Sequence, residues 1–245
     1  MTQTEGKTTL KLGVLGTYFY FFGKMKALYV ILALIQYYLS TFPALQGAFL
    51  EHINMLKNLP TVSEAIPVRT AEQLQSVDAL IIPGGESTAM ALIAERCQML
   101  EPLREFVKQK PTWGTCAGMI MLSNEATGAK KGGQQLIGGL SIRVNRNQFG
   151  TQKESFDTFL HMPEIVGDEP FHAVFIRAPV ITDLLAEDVK VVARLENNVG
   201  QTNGETIVAV RQGHLFATAF HPELTHDNRL HSYFVNVALD TYKNI

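Results

Sequence analysis

Twice in its first half the sequence runs from a short apolar stretch straight into glycines and then into helical spacing. Ala79–Ile82 (ALII) ends in Pro83-Gly84-Gly85, and Thr112-Trp113 ends in Gly114-Thr115-Cys116-Ala117-Gly118. A run this short and apolar reads as a strand buried on both faces, and a strand followed at once by a helix reads as one unit of a parallel sheet. Leu10–Leu15 (LKLGVL) is a third strand of this kind. After the first glycines, Glu86-Ser87-Thr88 can cap a helix running through MALIAERCQML; Pro102 opens a second helix toward Lys110, and Pro111 ends it. Residues 118–125 return to helical spacing. Residues 140–144, 173–177, 189–195, 206–211 and 215–220 have β-branched, alternating character, and residues 228–242 form a final amphipathic helix. The expectation is an α/β fold: one domain over 1–245, an open, mostly parallel sheet with helices on both faces.

Composition narrows the function. With 46% hydrophobic and 18% charged residues in a chain of 245, there is enough apolar surface to fold without covalent staples, which excludes a disordered tail or a disulfide scaffold. The 21 basic and 23 acidic side chains leave a net charge of −2 and no local basic patch, so nucleic acid is not expected as a partner. Two cysteines, Cys97 and Cys116, and a polar start without the apolar core of a secretory signal give a cytoplasmic protein as the expectation.

Residues 16–43 interrupt the pattern, because an almost unbroken apolar and aromatic segment stands where a short turn should follow the first strand. A bilayer helix needs ~20 apolar residues. The best charge-free window, residues 27–43, is shorter and holds Gln36, Ser40 and Thr41, so a membrane span is not favoured. A buried or partner-facing helix over residues 24–39 is the plain alternative. A third reading is a translated, retained intron of 28 codons. A GGT codon at Gly16 would supply the 5′ junction, and a pyrimidine-rich tract through Thr41-Phe42-Pro43 the 3′ junction. Joining the flanks then restores alanine in frame, giving LGVLALQGAFLEHI with nothing downstream shifted.

The chemistry centres on Cys116. GTCAG is a G-x-C-x-G turn, the cysteine counterpart of a nucleophile elbow: side chains two positions either way would collide, and the following helix aims its N-terminus at the sulfur, which favours the thiolate. The motif alone does not separate this from an inert buried cysteine. A thiolate nucleophile needs a base, and His221 in AFHPE is the candidate, with Glu223 two residues on where an extended backbone would return it to the same side. His221, Glu223 and His226 do not make a metal site, since H-x-E-x-x-H departs from the helical zinc motif and Pro222 disfavours the helix. His52, His161, His172, His214 and His231 are scattered and read as packing or surface residues, and Cys97 as a packing residue. Pro83-Gly84-Gly85-Glu86-Ser87 can turn backbone N–H groups toward an oxyanion, while no nucleotide-binding glycine pattern is present.

Taken together, PGGEST, GTCAG, RNQFG (146–150), ESF (154–156), FIRAP (175–179) and FHPELT (220–225) resemble the glutaminase subunits of pyridoxal 5′-phosphate synthase, a branch of the class I (triad) glutamine amidotransferases. The resemblance covers the chain apart from residues 16–43. It implies a flavodoxin-like three-layer sandwich and hydrolysis of L-glutamine to glutamate and ammonia, with Cys116 as nucleophile, His221 as acid and base, and Glu223 as its orienter. It further implies glutamine contacts at Gly85, Glu86, Ser87, Arg146, Ile176 and Arg177, with Gly84 at the oxyanion hole. The ammonia would pass to a separate (β/α)₈ synthase subunit, and the chain itself would hold no cofactor. In the family the first strand leads directly to a segment like Ala44-Leu45-Gln46-Gly47, near the oxyanion hole and the synthase interface. Here 28 residues stand between, which puts Gln46 and docking in question. The alternative is therefore a catalytically impaired chain acting as an interaction module. A glutaminase serving histidine or purine synthesis is disfavoured by FIRAP and HPELT.

Overall fold

The computed structural model describes residues 10–15, 49–128, 134–146, 155–195 and 205–243. The chain starts with β1 (Leu10–Leu15), α1 (Phe49–Lys57), β2 (Val62–Val68), α2 (Ala71–Gln75), β3 (Ala79–Ile82), α3 (Ser87–Arg96) and α4 (Leu100–Gln109). It continues through β4 (Thr112–Thr115), α5 (Ala117–Leu122), β5 (Ser123–Thr127), β6 (Leu140–Asn145), β7 (Ser155–Leu160) and α6 (Pro163–Val166). The last part holds β8 (Phe171–Ile176), β9 (Val180–Leu184), β10 (Lys190–Leu195), β11 (Thr206–Gln212), β12 (Leu215–Thr218), a 3₁₀ turn (Pro222–Leu224) and α7 (Arg229–Lys243).

One large sheet has the order β2-β1-β3-β4-β12-β11-β9-β6-β5, with β10 joined to β11, and β7 and β8 form a separate hairpin. From β2 to β12 every pairing is parallel; β11 and β9 then pair antiparallel with their neighbours. The expected α/β sheet is therefore present, parallel in the half that carries the glycine turns. In its middle, β3, β4 and β12 are buried at every position, as the uninterrupted apolar runs require. Their carboxyl ends lie side by side, with Ile82 opposite Gly114 and Thr115 opposite Thr218. Beneath that edge Trp113 packs against Phe216, Phe234, His52 and His231 and donates its indole N–H to Thr218 at 3.2 Å. α7 buries Leu230, Phe234, Val235 and Ala238, the helical period expected of it.

Among the element boundaries that differ from the sequence expectation, three have a visible cause. The helix expected to run through MALIAERCQML stops at Arg96, because Gln98 takes a left-handed φ of 56°. Met99 N–H then bonds the Ala94 carbonyl and Gln98 N–H the Glu95 carbonyl, a Schellman ending built without glycine. Helical spacing over residues 118–125 covers two elements: Ser123 donates to the Ile120 carbonyl at 2.8 Å, ends α5, and opens β5. The strand expected over residues 215–220 ends at Thr218, since the His221 N–H leaves the sheet to bond Val174 on β8 at 2.8 Å.

Candidate active site

The elbow is built as its glycines require. A Cβ on Gly118 would run into the Ile82 carbonyl of β3, and one on Gly114 would sit 2.5 Å from the Gly118 backbone. With both absent, the chain turns tightly enough to hold Cys116 at φ 48°, a left-handed conformation that costs a non-glycine residue about 1–3 kcal/mol. The Cys116 N–H bonds the Thr218 carbonyl at 2.8 Å and pins the strained residue between β4 and β12.

His221 and Glu223 reach the same spot from the end of β12. His221 Nδ1 lies 2.8 Å from Glu223 Oε1. The pair meets by a route other than the extended backbone expected from the sequence: Pro222–Leu224 forms a 3₁₀ turn that folds Glu223 back under the ring. Gly84 seals the ring's other flank, where any Cβ would overlap the imidazole. The Cys116 sulfur is the other group that acts on the ring. Burial pulls its pKa down, but the hydrogen bonds and negative charges of Cys116 and Glu223 outweigh that and push it up to about 10. Glu223 moves the other way: burial alone would raise it, yet the His52 ring together with the hydrogen bond and charge of His221 holds it below the usual carboxylate range. The arrangement is an anionic carboxylate, an imidazolium and a sulfur in sequence, with Nε2 of His221 free of the carboxylate and available to a reacting group.

The remaining expected residues fall into two groups around this core. Glu86 caps α3, accepting the N–H groups of Thr88 and Ala89 at 3.1 and 2.7 Å, and Arg146 Nη2 bonds Glu86 Oε1 and Thr88 Oγ1 at 3.2 and 3.0 Å. Ser87 is buried and donates to Gln134 at 3.1 Å. On the other side the Ile176 carbonyl oxygen stands 3.9 Å from Cys116 Sγ, and Arg177 adopts φ 43°. Gln46, residues 16–43 and residues 147–150 lie outside the described residues. Gln134 went unread because it sits in a polar stretch without a motif. His52 and His231 read as scattered packing residues, yet they stand 2.8 Å apart behind Glu223 across 179 positions of sequence. No spacing rule signals such a contact.

Comparison with known proteins points to a single family. The family model described as SNO glutamine amidotransferase family matches residues 42–240. The "Probable pyridoxal 5'-phosphate synthase subunit PDX2" of Arabidopsis thaliana is 46% identical over 79% of this chain and 83% of its own length. The "Pyridoxal 5'-phosphate synthase subunit PdxT" of Herpetosiphon aurantiacus is 47% identical over 79% of this chain and 97% of its own. Among solved structures, one described as a crystal structure of glutamine amidotransferase superposes with a TM-score of 0.69 at 39% identity, covering 93% of this chain and 98% of that one.

Proposed function

The chain belongs to the SNO glutamine amidotransferase family, and from that premise we propose that it is the glutaminase subunit of a pyridoxal 5′-phosphate synthase, hydrolysing L-glutamine through Cys116, His221 and Glu223. The thiolate of Cys116 adds to the side-chain carboxamide carbon, and the carbonyl π pair moves to oxygen. His221, protonated beforehand through its raised pKa, gives its proton to the departing nitrogen as the C–N bond breaks; ammonia and a γ-glutamyl thioester result. The neutral ring then takes a proton from water, which cleaves the thioester to glutamate. Glu223 holds the Nδ1–H tautomer throughout.

Gly84, with Gly85, is assigned to the oxyanion hole, and Gly85, Glu86, Ser87, Arg146, Ile176 and Arg177 to glutamine binding. What supports this is the Ile176 carbonyl 3.9 Å from Cys116 Sγ and the contact of Arg146 with Glu86 and Thr88 at the start of α3, with a guanidinium suited to the α-carboxylate. Ammonia is passed to a partner synthase subunit, which the resemblance makes a (β/α)₈ enzyme. Both cysteines are free thiols, in keeping with a cytoplasmic setting.

The observation that carries the reading is the meeting of Cys116, His221 and Glu223 at one sheet edge, although about a hundred positions separate the first from the other two, with His221 bonded to Glu223 and its pKa raised by both neighbours. The test is ammonia release from glutamine in the presence of the synthase subunit. Activity lost in Cys116→Ala is expected; activity retained in it defeats the reading.

A further inference from the structure

Glu223 has a second carboxylate oxygen that the triad does not use. Oε1 faces His221, whereas Oε2 is buried and receives no well-aligned hydrogen bond among the described residues. Nε2 of His52, on α1, stands 3.3 Å from it, and both side chains are fully buried. His52 is itself held. Its Nδ1 is 2.8 Å from Nε2 of His231 on α7, and its Nε2 is 3.4 Å from the hydroxyl of Thr115 on β4, the residue before the nucleophile. The Trp113 ring meets it edge-on at 5.7 Å between centroids. The titratable groups around His52 are therefore Glu223, with His221 beyond it, and His231; β4 contributes the uncharged Thr115 and Trp113.

Two neutral imidazoles in contact share one hydrogen, which leaves two arrangements. In the first, His231 donates its Nε2–H to His52 Nδ1, and His52 points its own N–H, on Nε2, at the carboxylate and Thr115. The leftover atom is then a lone pair on His231 Nδ1, an atom with no partner among the described residues. In the second, His52 presents a lone pair to a buried anion and His231 buries an unpaired N–H. That arrangement adds repulsion and strands a donor, so the first is favoured. Both rings are kept neutral. Burial lowers the pKa of His52 against the pull of Glu223, with His221 adding to the lowering, and burial next to His52 takes His231 well below the ordinary histidine value.

We infer that His52 is a positioning residue for the triad: held by His231, it keeps its Nε2–H beside Glu223 Oε2 and so favours that carboxylate ionised and aimed at His221. The inference rests on the glutaminase reading of Cys116, His221 and Glu223 and extends their series by two members, drawn from α1 and α7.

The test uses the full chain and the variants His52→Leu, His52→Gln and His231→Leu, with two readouts. One is glutamine turnover with the synthase subunit. The other is the pH dependence of iodoacetamide alkylation at Cys116, followed by peptide mass spectrometry to separate it from the exposed Cys97. His52→Leu is expected to lower kcat ~10- to 100-fold, the scale of one hydrogen bond to a charged group, with KM changed by less than about twofold. Its alkylation limb is expected to move to higher pH, because a carboxylate without its donor supports the imidazolium less. His52→Gln can keep an N–H near Oε2 and is expected to restore most of both properties, and His231→Leu to fall between. A folded His52→Leu with unchanged kcat and an unchanged limb overturns the role. Where glutamine is not turned over, the glutaminase reading fails by itself and the limb still decides for or against His52. A wild-type Cys116 that alkylates as an ordinary thiol removes the series and His52 with it. If His52→Leu does not fold, a shifted limb in His231→Leu with a near-normal one in His52→Gln supports the role, and two unshifted limbs overturn it.

Discussion

Replacing Glu223 by glutamine keeps the volume at the buried end of the series and removes its charge. The His221 ring loses the anion beside Nδ1, and with it much of the reason to stay protonated beside the sulfur. Steady-state ammonia release by Glu223→Gln is expected to show kcat lower by about 10- to 100-fold with KM little changed. The same carboxylate and the two histidines behind it contribute to the acid side of stability. His52 and His231 are held below the ordinary value of 6.5, so the unfolded chain takes up protons there that the folded chain refuses. Their contribution is present above pH 6.5 and is lost as pH falls below it; Glu223, lowered from 4.5, adds a loss in the same direction only on stronger acidification. Thermal melting from pH 7 to 5 is expected to fall more steeply for the natural chain than for His52→Gln/His231→Gln, and equal slopes would contradict this. The candidate triad was legible in the sequence because each part sits in a short contiguous signature, G-x-C-x-G or H-P-E. The histidine pair was not, because its members share no local pattern and are joined only by the packing of α1 against α7.

At the scale of elements, the elbow depends on β3 approaching the turn without an intervening side chain. Gly118→Ala places a methyl group against the Ile82 carbonyl, which is backbone and cannot swing away. Overpacking of this kind is expected to cost about 1–3 kcal/mol, read as a lower denaturant midpoint, together with a loss of glutaminase activity as Cys116 shifts. The junction after β1 is the other vulnerable element. A chain lacking residues 16–43 is proposed to show synthase-stimulated glutaminase activity well above that of the full chain, and ammonia release equal in the two would contradict the view that the segment is foreign to the working enzyme. In support, the family match begins at residue 42, close to the end of that segment. Local signals located most elements but not all. β2 escaped because Glu64 and Pro67 suit an edge strand rather than a buried run, and β2 does lie at the end of the sheet. The end of α3 escaped because its left-handed residue is Gln98 where glycine is the usual signal.

Across the whole molecule, function follows from three adjacent parallel strands that end at one edge: β3 delivers Gly84, β4 delivers Cys116, and β12 leads to His221. Strand–glycine–helix alternation made that parallel half readable in advance. The antiparallel half was readable only in part: β6, β11 and β12 read as strands, whereas β9 did not, and the order β12-β11-β9-β6 is chosen by contacts between distant segments rather than by any local turn. The most direct measurement is acid-quenched turnover of glutamine with the synthase subunit, with the cysteine-containing peptides then weighed by mass spectrometry. The account predicts a γ-glutamyl adduct on Cys116, absent from Cys97, and no ammonia release from Cys116→Ala. Ammonia released at the natural rate by Cys116→Ala, or turnover accompanied by an adduct only at Cys97, would contradict it.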